Sequence, residues 1–167
     1  MKNRNNLTGF FALLLVLSIF LHPAKLQAEE NISILDKAYV TSFSDGVVDV
    51  IDLKTNTVEK AKIKVGREPN SAGFNPNGNQ VYVTNRTDGT VSVIDPVTDT
   101  VIKTISVGSE PHGVAFTTDG TRAYVANYSS SSLSVIDTSS LEVIHTINVP
   151  MQPVAMVVVG TDLYLTT

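Results

Sequence analysis

The side chain in this sequence best placed to do chemistry is His112, because it interrupts a pattern: the positions 42 residues before and after it hold Asn70 and Val154. An imidazole can ligate a metal or carry a proton near neutral pH. A metal site needs further donors at ligand spacing, however, and the sequence offers no second histidine to join it and no cysteine anywhere. The lack of cysteine also removes disulfides, a cysteine nucleophile and a C-x-x-C-H haem attachment. His145 alternates along an outer strand and reads as a surface residue. No G-x-S-x-G elbow supports a Ser–His–Asp set, and no glycine-rich run opens a helix to cradle phosphate. Asp52, Asp95 and Asp137 could be metal ligands converging on an axis, or carboxylates that accept N–H bonds from the turns after them. Their recurrence favours the turn, since a structural need repeats where a site does not. Tyr39, Tyr82, Tyr124 and Tyr164 recur in the same way and read as packing residues rather than a stacking platform for bases or sugars. No catalytic, metal or cofactor residue is assigned on this reading.

The elements that must position these residues are set by a repeat. Pro69, Pro111 and Pro153 are separated by two steps of 42, and the four tyrosines by steps of 43, 42 and 40. Within one period, Gly113–Phe116, Ala123–Asn127, Leu133–Asp137 and Val143–Ile147 are short apolar or alternating runs. They are divided by the Thr118–Gly120 turn and the Ser129–Ser132 loop, and no helical period occurs. The chain also holds 23 valines and 18 threonines, whose branched Cβ atoms suit a pleated sheet. The expected fold is all-β, each period a four-stranded antiparallel meander of the size of a β-propeller blade.

Tyr82-Val83-Thr84-Asn85, followed by Thr90–Asp95 and Thr100-Val101, resembles the YVTN-type β-propeller repeat, and Pro111–Phe116 with Asp119-Gly120 resembles the segment that opens it. The likeness covers nearly all of residues 37–167, with departures at Tyr39–Ser42, Tyr124–Asn127 and Tyr164–Thr167. The blades are expected at 37–65 (partial), 66–107, 108–149 and 150–167 (partial), with two residues lost near Val158–Gly160 that leave the last unit's first turn in question. About three blades' worth is too few to close a ring, so the expectation is a fragment of a larger closed propeller of about six or seven blades. Assembly of short chains into a ring is the competing arrangement, and unpaired blade edges would allow self-association. The resemblance implies an extracytoplasmic bacterial or archaeal protein. Propellers similar in their repeats serve as heavy subunits of amine dehydrogenases, haem-binding reductase domains and lactone hydrolases.

Antiparallel order sorts the loops. The connections Gly66–Asn70, Gly108–His112 and Pro150–Pro153 share one face with the loops Phe43–Gly46, Arg86–Gly89 and Tyr128–Ser132. Variable loops on a rigid scaffold are where function usually sits. Candidate binding residues on that face are Arg67, Glu68, Arg86, Asp88, Glu110, His112 and Tyr128.

Lys2 and Arg4 precede an uncharged apolar run from Leu7 to Leu21, and Leu26-Gln27-Ala28 offers a small residue for cleavage. Residues 1–28 therefore read as a signal peptide ahead of a repeat region at 29–167, with no stable membrane span after cleavage. An uncleaved N-terminal anchor is the alternative, and either places the repeats outside the cytoplasm, in the periplasm, at the cell surface or secreted. Without residues 1–28 the chain carries nine basic and sixteen acidic side chains, a net of −7, which does not favour nucleic acid as a partner. The reading that follows is an exported, non-enzymatic binding or scaffold protein for an unknown protein or small-molecule ligand, with no cofactor. The alternative is a propeller subunit or domain of a redox enzyme or lactone hydrolase whose site lies in missing sequence or in a partner.

Overall fold

Valine, isoleucine and tyrosine alternate with serine, threonine and aspartate through each period, so each strand sends apolar side chains to both sides of its sheet or to one. Sheets built this way must stack to cover their faces. The computed structural model describes residues 36–59 and 62–167, and the segment read as a signal peptide lies outside them. The described residues form fourteen strands and no α-helix. β1 (Lys37–Ser42), β2 (Val47–Asp52), β3 (Thr57–Val58) and β4 (Ile63–Lys64) make the first sheet. The second runs β5 (Pro69–Phe74), β6 (Val81–Asn85), β7 (Thr90–Asp95), β8 (Thr100–Ser106) in spatial order. The third runs β9 (Pro111–Phe116), β10 (Arg122–Asn127), β11 (Ser132–Asp137), β12 (Glu142–Asn148), and β13 (Met156–Val159) pairs with β14 (Asp162–Leu165) alone. Every neighbour pair is antiparallel, and the second and third sheets are the four-stranded meanders that the periodicity predicts, stacked face to face as propeller blades; the first and last sheets carry parts of the same pattern.

Two cores lie between sheets. Val48, Val50 and Ile63 of the first sheet meet Val81, Val83 and Ile94 of the second. Tyr82, Val91, Val93 and Ile105 of the second meet Ala123, Val125 and Ile136 of the third. The repeating tyrosine caps each core: Tyr39 meets Phe74 edge-on at 5.3 Å, and Tyr82 meets Phe116 at 5.1 Å. At the next interface Val158 stands where the phenylalanine would be.

Both the innermost and the outermost strands carry register shifts, the inner ones between Pro69 and Ala72 of β5 and opposite Val125–Asn127 in β9. The ladder shifts by one residue between Val93 and Ile94 in the second sheet, and between Val135 and Ile136 in the third, leaving Ile102 and Ile144 as exposed bulge residues. In the first sheet the pairings Val48↔Ile63 and Ile51↔Val58 differ by two residues, and the outer strand is divided into β3 and β4. That extra residue accounts for the step of 43 between Tyr39 and Tyr82.

The aspartates behave as turn acceptors. Asp52 Oδ1 takes the N–H groups of Lys54 and Thr55, Asp95 Oδ1 that of Val97, and Asp137 Oδ1 those of Ser139 and Ser140. The turn left in question by the lost residues also forms. Val159 pairs with Asp162 across Gly160-Thr161, and Gly160 takes φ +61°, as the first position of a two-residue type II′ hairpin requires.

Along the innermost strands, Thr84 Oγ1 accepts from Ser71 N–H and donates to the carbonyl of His112 at 2.6 Å, joining the second and third sheets through one hydroxyl. Ala126 occupies that place in the next tetrad. There Gly113 N–H bonds Val154 O directly at 3.0 Å, an approach in which a Cβ on Gly113 would lie 2.8 Å from that oxygen.

Candidate functional site

The loop face is built on two buried asparagines. Asn85 and Asn127 end the second strands of their sheets and are fully buried. Asn85 Oδ1 accepts Gly66 N–H at 3.1 Å while its amide donates to Thr90 and Ser92 hydroxyls. Asn127 repeats the arrangement with Gly108, Ser132 and Ser134. Each asparagine thus ties the connection entering a sheet to the start of its third strand. Glu68 and Glu110, at φ +52° and +49°, then turn the chain so that their carbonyls accept Arg86 N–H and Tyr128 N–H.

All seven candidate residues fall on this face. Arg67 and Asp88 form one pair within the second sheet: Asp88 accepts Arg67 N–H at 2.7 Å and Arg67 Nε–H at 2.6 Å. Those bonds, the backbone one first, hold the Asp88 carboxyl below the usual carboxylate range. The other five gather across the second and third sheets. Arg86 Nη2 donates to Glu110 Oε1 at 3.0 Å and lies 3.9 Å from Glu68 through Nη1. The Ser129 hydroxyl donates to the other oxygen of Glu110. That hydroxyl, followed by the nearby Arg86 charge, outweighs desolvation and lowers the Glu110 pKa. His112 lies against the Tyr128 ring with centroids 5.2 Å apart, and its Nδ1 is 3.5 Å from the Asn70 amide. Burial first, and then Arg86, lower the His112 pKa, with Glu110 opposing in part, so the imidazole is held neutral. Arg86 Nε and His112 Nε2 are buried without a hydrogen-bond partner among the described residues.

Sequence reasoning placed the seven residues on this face but overlooked Asn85 and Asn127, which organise it. Their signal was available: both close a tyrosine tetrad, at the same 42-residue step that separates Gly66 from Gly108. Two clefts flank the cluster, one of about 390 Å³ lined by Phe43, Asp45, Arg67 and Glu68, and one of about 540 Å³ lined by Tyr128, Met151 and Gln152. His112 lines neither. Among the described residues no group of three His, Asp or Glu side chains converges to hold a metal.

Residues 38–156 match the family profile described as the cytochrome D1 heme domain, a β-propeller family. The chain belongs to that family. Among solved structures it is similar to hydrazine synthase of Kuenenia stuttgartiensis, at 29% identity and a TM-score of 0.69 over 72% of this chain and 35% of that one. It is also similar to dihydro-heme d1 dehydrogenase NirN, solved in complex with DHE, at 20% identity and TM-score 0.70 over 80% and 30% of the two chains. A protein of Desulfotomaculum acetoxidans described as functionally unknown aligns at 21% identity and TM-score 0.63, over 72% and 41%. The last two likenesses show the fold alone. This member of the cytochrome D1 heme domain family therefore spans about a third of the first of these chains. No curated protein matches.

The family name implies a haem, and His112 is the residue on this face that could ligate its iron. The geometry does not suit it. Nε2, the nitrogen that would meet iron, is enclosed by protein and opens to neither cleft, and the Arg86 guanidinium that could receive a haem carboxylate is engaged by Glu110 and Glu68. The described residues on this face do not form a haem cradle.

Proposed function

We propose that this chain is a propeller portion of an extracytoplasmic redox enzyme, with the iron ligand and the reacting centre supplied by other sequence or by a partner subunit. The observation that carries the reading is the family match over residues 38–156, supported by the 29% identity to hydrazine synthase. The basic, then apolar N-terminal sequence agrees with export. In this role the Arg67–Asp88 and Arg86–Glu110 pairs fix the loops that meet the redox-active part, and residues such as Tyr128 and Met151 beside the larger cleft provide contact surface. Visible absorption and metal analysis of the protein purified from its native periplasm or cell surface test the proposal. Haem or metal at a fixed stoichiometry is expected, with an unchanged spectrum in His112→Asn. A colourless, metal-free protein that co-purifies with no haem-bearing subunit would remove it.

A second reading, the non-enzymatic binding or scaffold protein, is favoured by one observation: the charged candidates are engaged with one another, which suits a preorganised docking surface better than reactive groups. Alanine at Arg67, Arg86 or Tyr128 would then abolish capture of a partner without altering any chromophore.

A further inference from the structure

The turns that join the first two strands of the second and third sheets are bonded to each other across the interface. In the second sheet the turn runs from Asn75 to Gln80, between β5 and β6, and in the third from Thr117 to Thr121, between β9 and β10. Asn75 is 2% exposed; its Oδ1 accepts Asn77 N–H at 3.0 Å, and its amide donates to Gly120 O at 3.0 Å. The Thr138 hydroxyl donates to the same carbonyl at 2.7 Å. Asn77 is exposed, yet its amide reaches across to Asp119 O at 3.2 Å. The turns lie so close that a Cβ on Gly120 would collide with Asn75 Oδ1 and stand 2.6 Å from Asn77 Nδ2.

Asn77-Gly78 is the one asparagine–glycine step in the sequence. Glycine has no Cβ to shield its own nitrogen, which can therefore reach the carbonyl carbon of the preceding asparagine side chain. In the docked turn two contacts oppose that approach. Gly78 N–H donates to Asn75 O at 2.7 Å, which retains its proton, and the Asn77 amide is held towards the third sheet. Both are released when the turn opens locally.

We propose that Asn77 is a deamidation site gated by the docking of these two turns. In the opened turn the Gly78 nitrogen loses its proton to hydroxide and bonds to Asn77 Cγ; the Cγ–Nδ2 bond breaks and ammonia leaves. Water then opens the cyclic imide at either carbonyl, leaving aspartate or isoaspartate, so one water is consumed, one ammonia is released and nothing is oxidised. The product cannot donate to Asp119 O, and it sets a carboxylate against that carbonyl. Asp119, at the same place in the next repeat, is held in its own turn by the hydroxyls of Thr117 and Thr121. Asn75 and Asn79 stand at those places in the second sheet and offer no hydroxyl. The reaction therefore loosens the second sheet from the third. None of these residues belongs to the loop face, so the site stands apart from the redox reading.

Incubating the full chain at mildly alkaline pH, folded and in urea, with peptide mapping by mass spectrometry, tests the proposal. Asn77 should convert to its acid forms in urea, and about tenfold or more slowly in the folded chain. Asn75→Ala, which frees Asn77 N–H and Gly120 O together, and the milder Thr138→Ala should each speed the folded reaction. Gly78→Ala should suppress it in urea. Asn77→Asp, which carries the product charge, should lower the midpoint of urea unfolding. Equal rates in the folded and unfolded chain overturn the proposal, as does an Asn77 that keeps its amide in urea. Failure of both Asn75→Ala and Thr138→Ala to speed the reaction, or an unchanged midpoint in Asn77→Asp, does the same.

Discussion

Asn127 shows how much a single side chain can organise. It is buried and makes three bonds, to Gly108 N–H and to the Ser132 and Ser134 hydroxyls, so Asn127→Ala strands several polar groups at once. Each orphaned group costs about 1–3 kcal/mol, and urea unfolding should show a loss in that range or above it. His112 sets a pH dependence of known sign. Its pKa is lowered by burial and by Arg86, so the folded state resists protonation that the unfolded chain accepts near its ordinary value of about 6.5. Stability is therefore full above that pH and falls as the solution is acidified below it. The carboxylates held low, Asp137 at about 2 among them, act only at more acid pH. His112→Asn, the residue natural to the preceding repeat, should flatten the curve between about pH 7 and pH 5. At this scale the sequence was legible where a residue's chemistry is local. Asp52, Asp95 and Asp137 could be read as turn acceptors because an Asx turn involves only the next few residues. Asn85 and Asn127 were marked only by their recurrence at the end of the tetrad, and not by a local motif, because the glycine N–H that each accepts lies nineteen residues upstream.

Strands follow from alternation and branching, which is why the positions of β9 to β12 could be drawn from the third period alone. Irregularities were harder to see. The bulges at Ile102 and Ile144 leave no mark in the hydrophobic pattern, since a bulge moves an apolar residue outward without changing its type. The extra residue in the first sheet did leave a mark, the step of 43, but not its location. With its outer edge divided into two pieces of two residues, that sheet should exchange backbone amides fastest at Thr57–Val58 and Ile63–Lys64, and hydrogen-exchange mass spectrometry would read this directly. Core contributions should also differ between sheets. Tyr82 is fully buried against Phe116, and its replacement by alanine should cost about 3–5 kcal/mol. Tyr124, half-buried beside Val158, should lose less than half of that on the same substitution.

Across the whole molecule, stability comes from contacts between neighbouring sheets, so the ends of the stack differ from its middle. β1 and β14 each have an unpaired edge among the described residues, and Val157, Val159 and Tyr164 are more than half exposed on the terminal hairpin. The family match belongs to this scale too; it favours the redox reading that the motif resemblance offered only as the alternative, because propellers with similar repeats carry unrelated chemistry.

The oxygen that Thr84 contributes and Ala126 lacks makes the tetrad's third position a shim between adjoining sheets. With the hydroxyl in place, two backbones are held apart by one interposed atom, and without it they close onto each other directly. Exchanging alanine for threonine at such a point interposes a hydroxyl where two backbones otherwise bond directly. A lineage of repeats could thus exchange one kind of joint between successive units for the other by drift at a single codon, with no insertion and no rebuilt core.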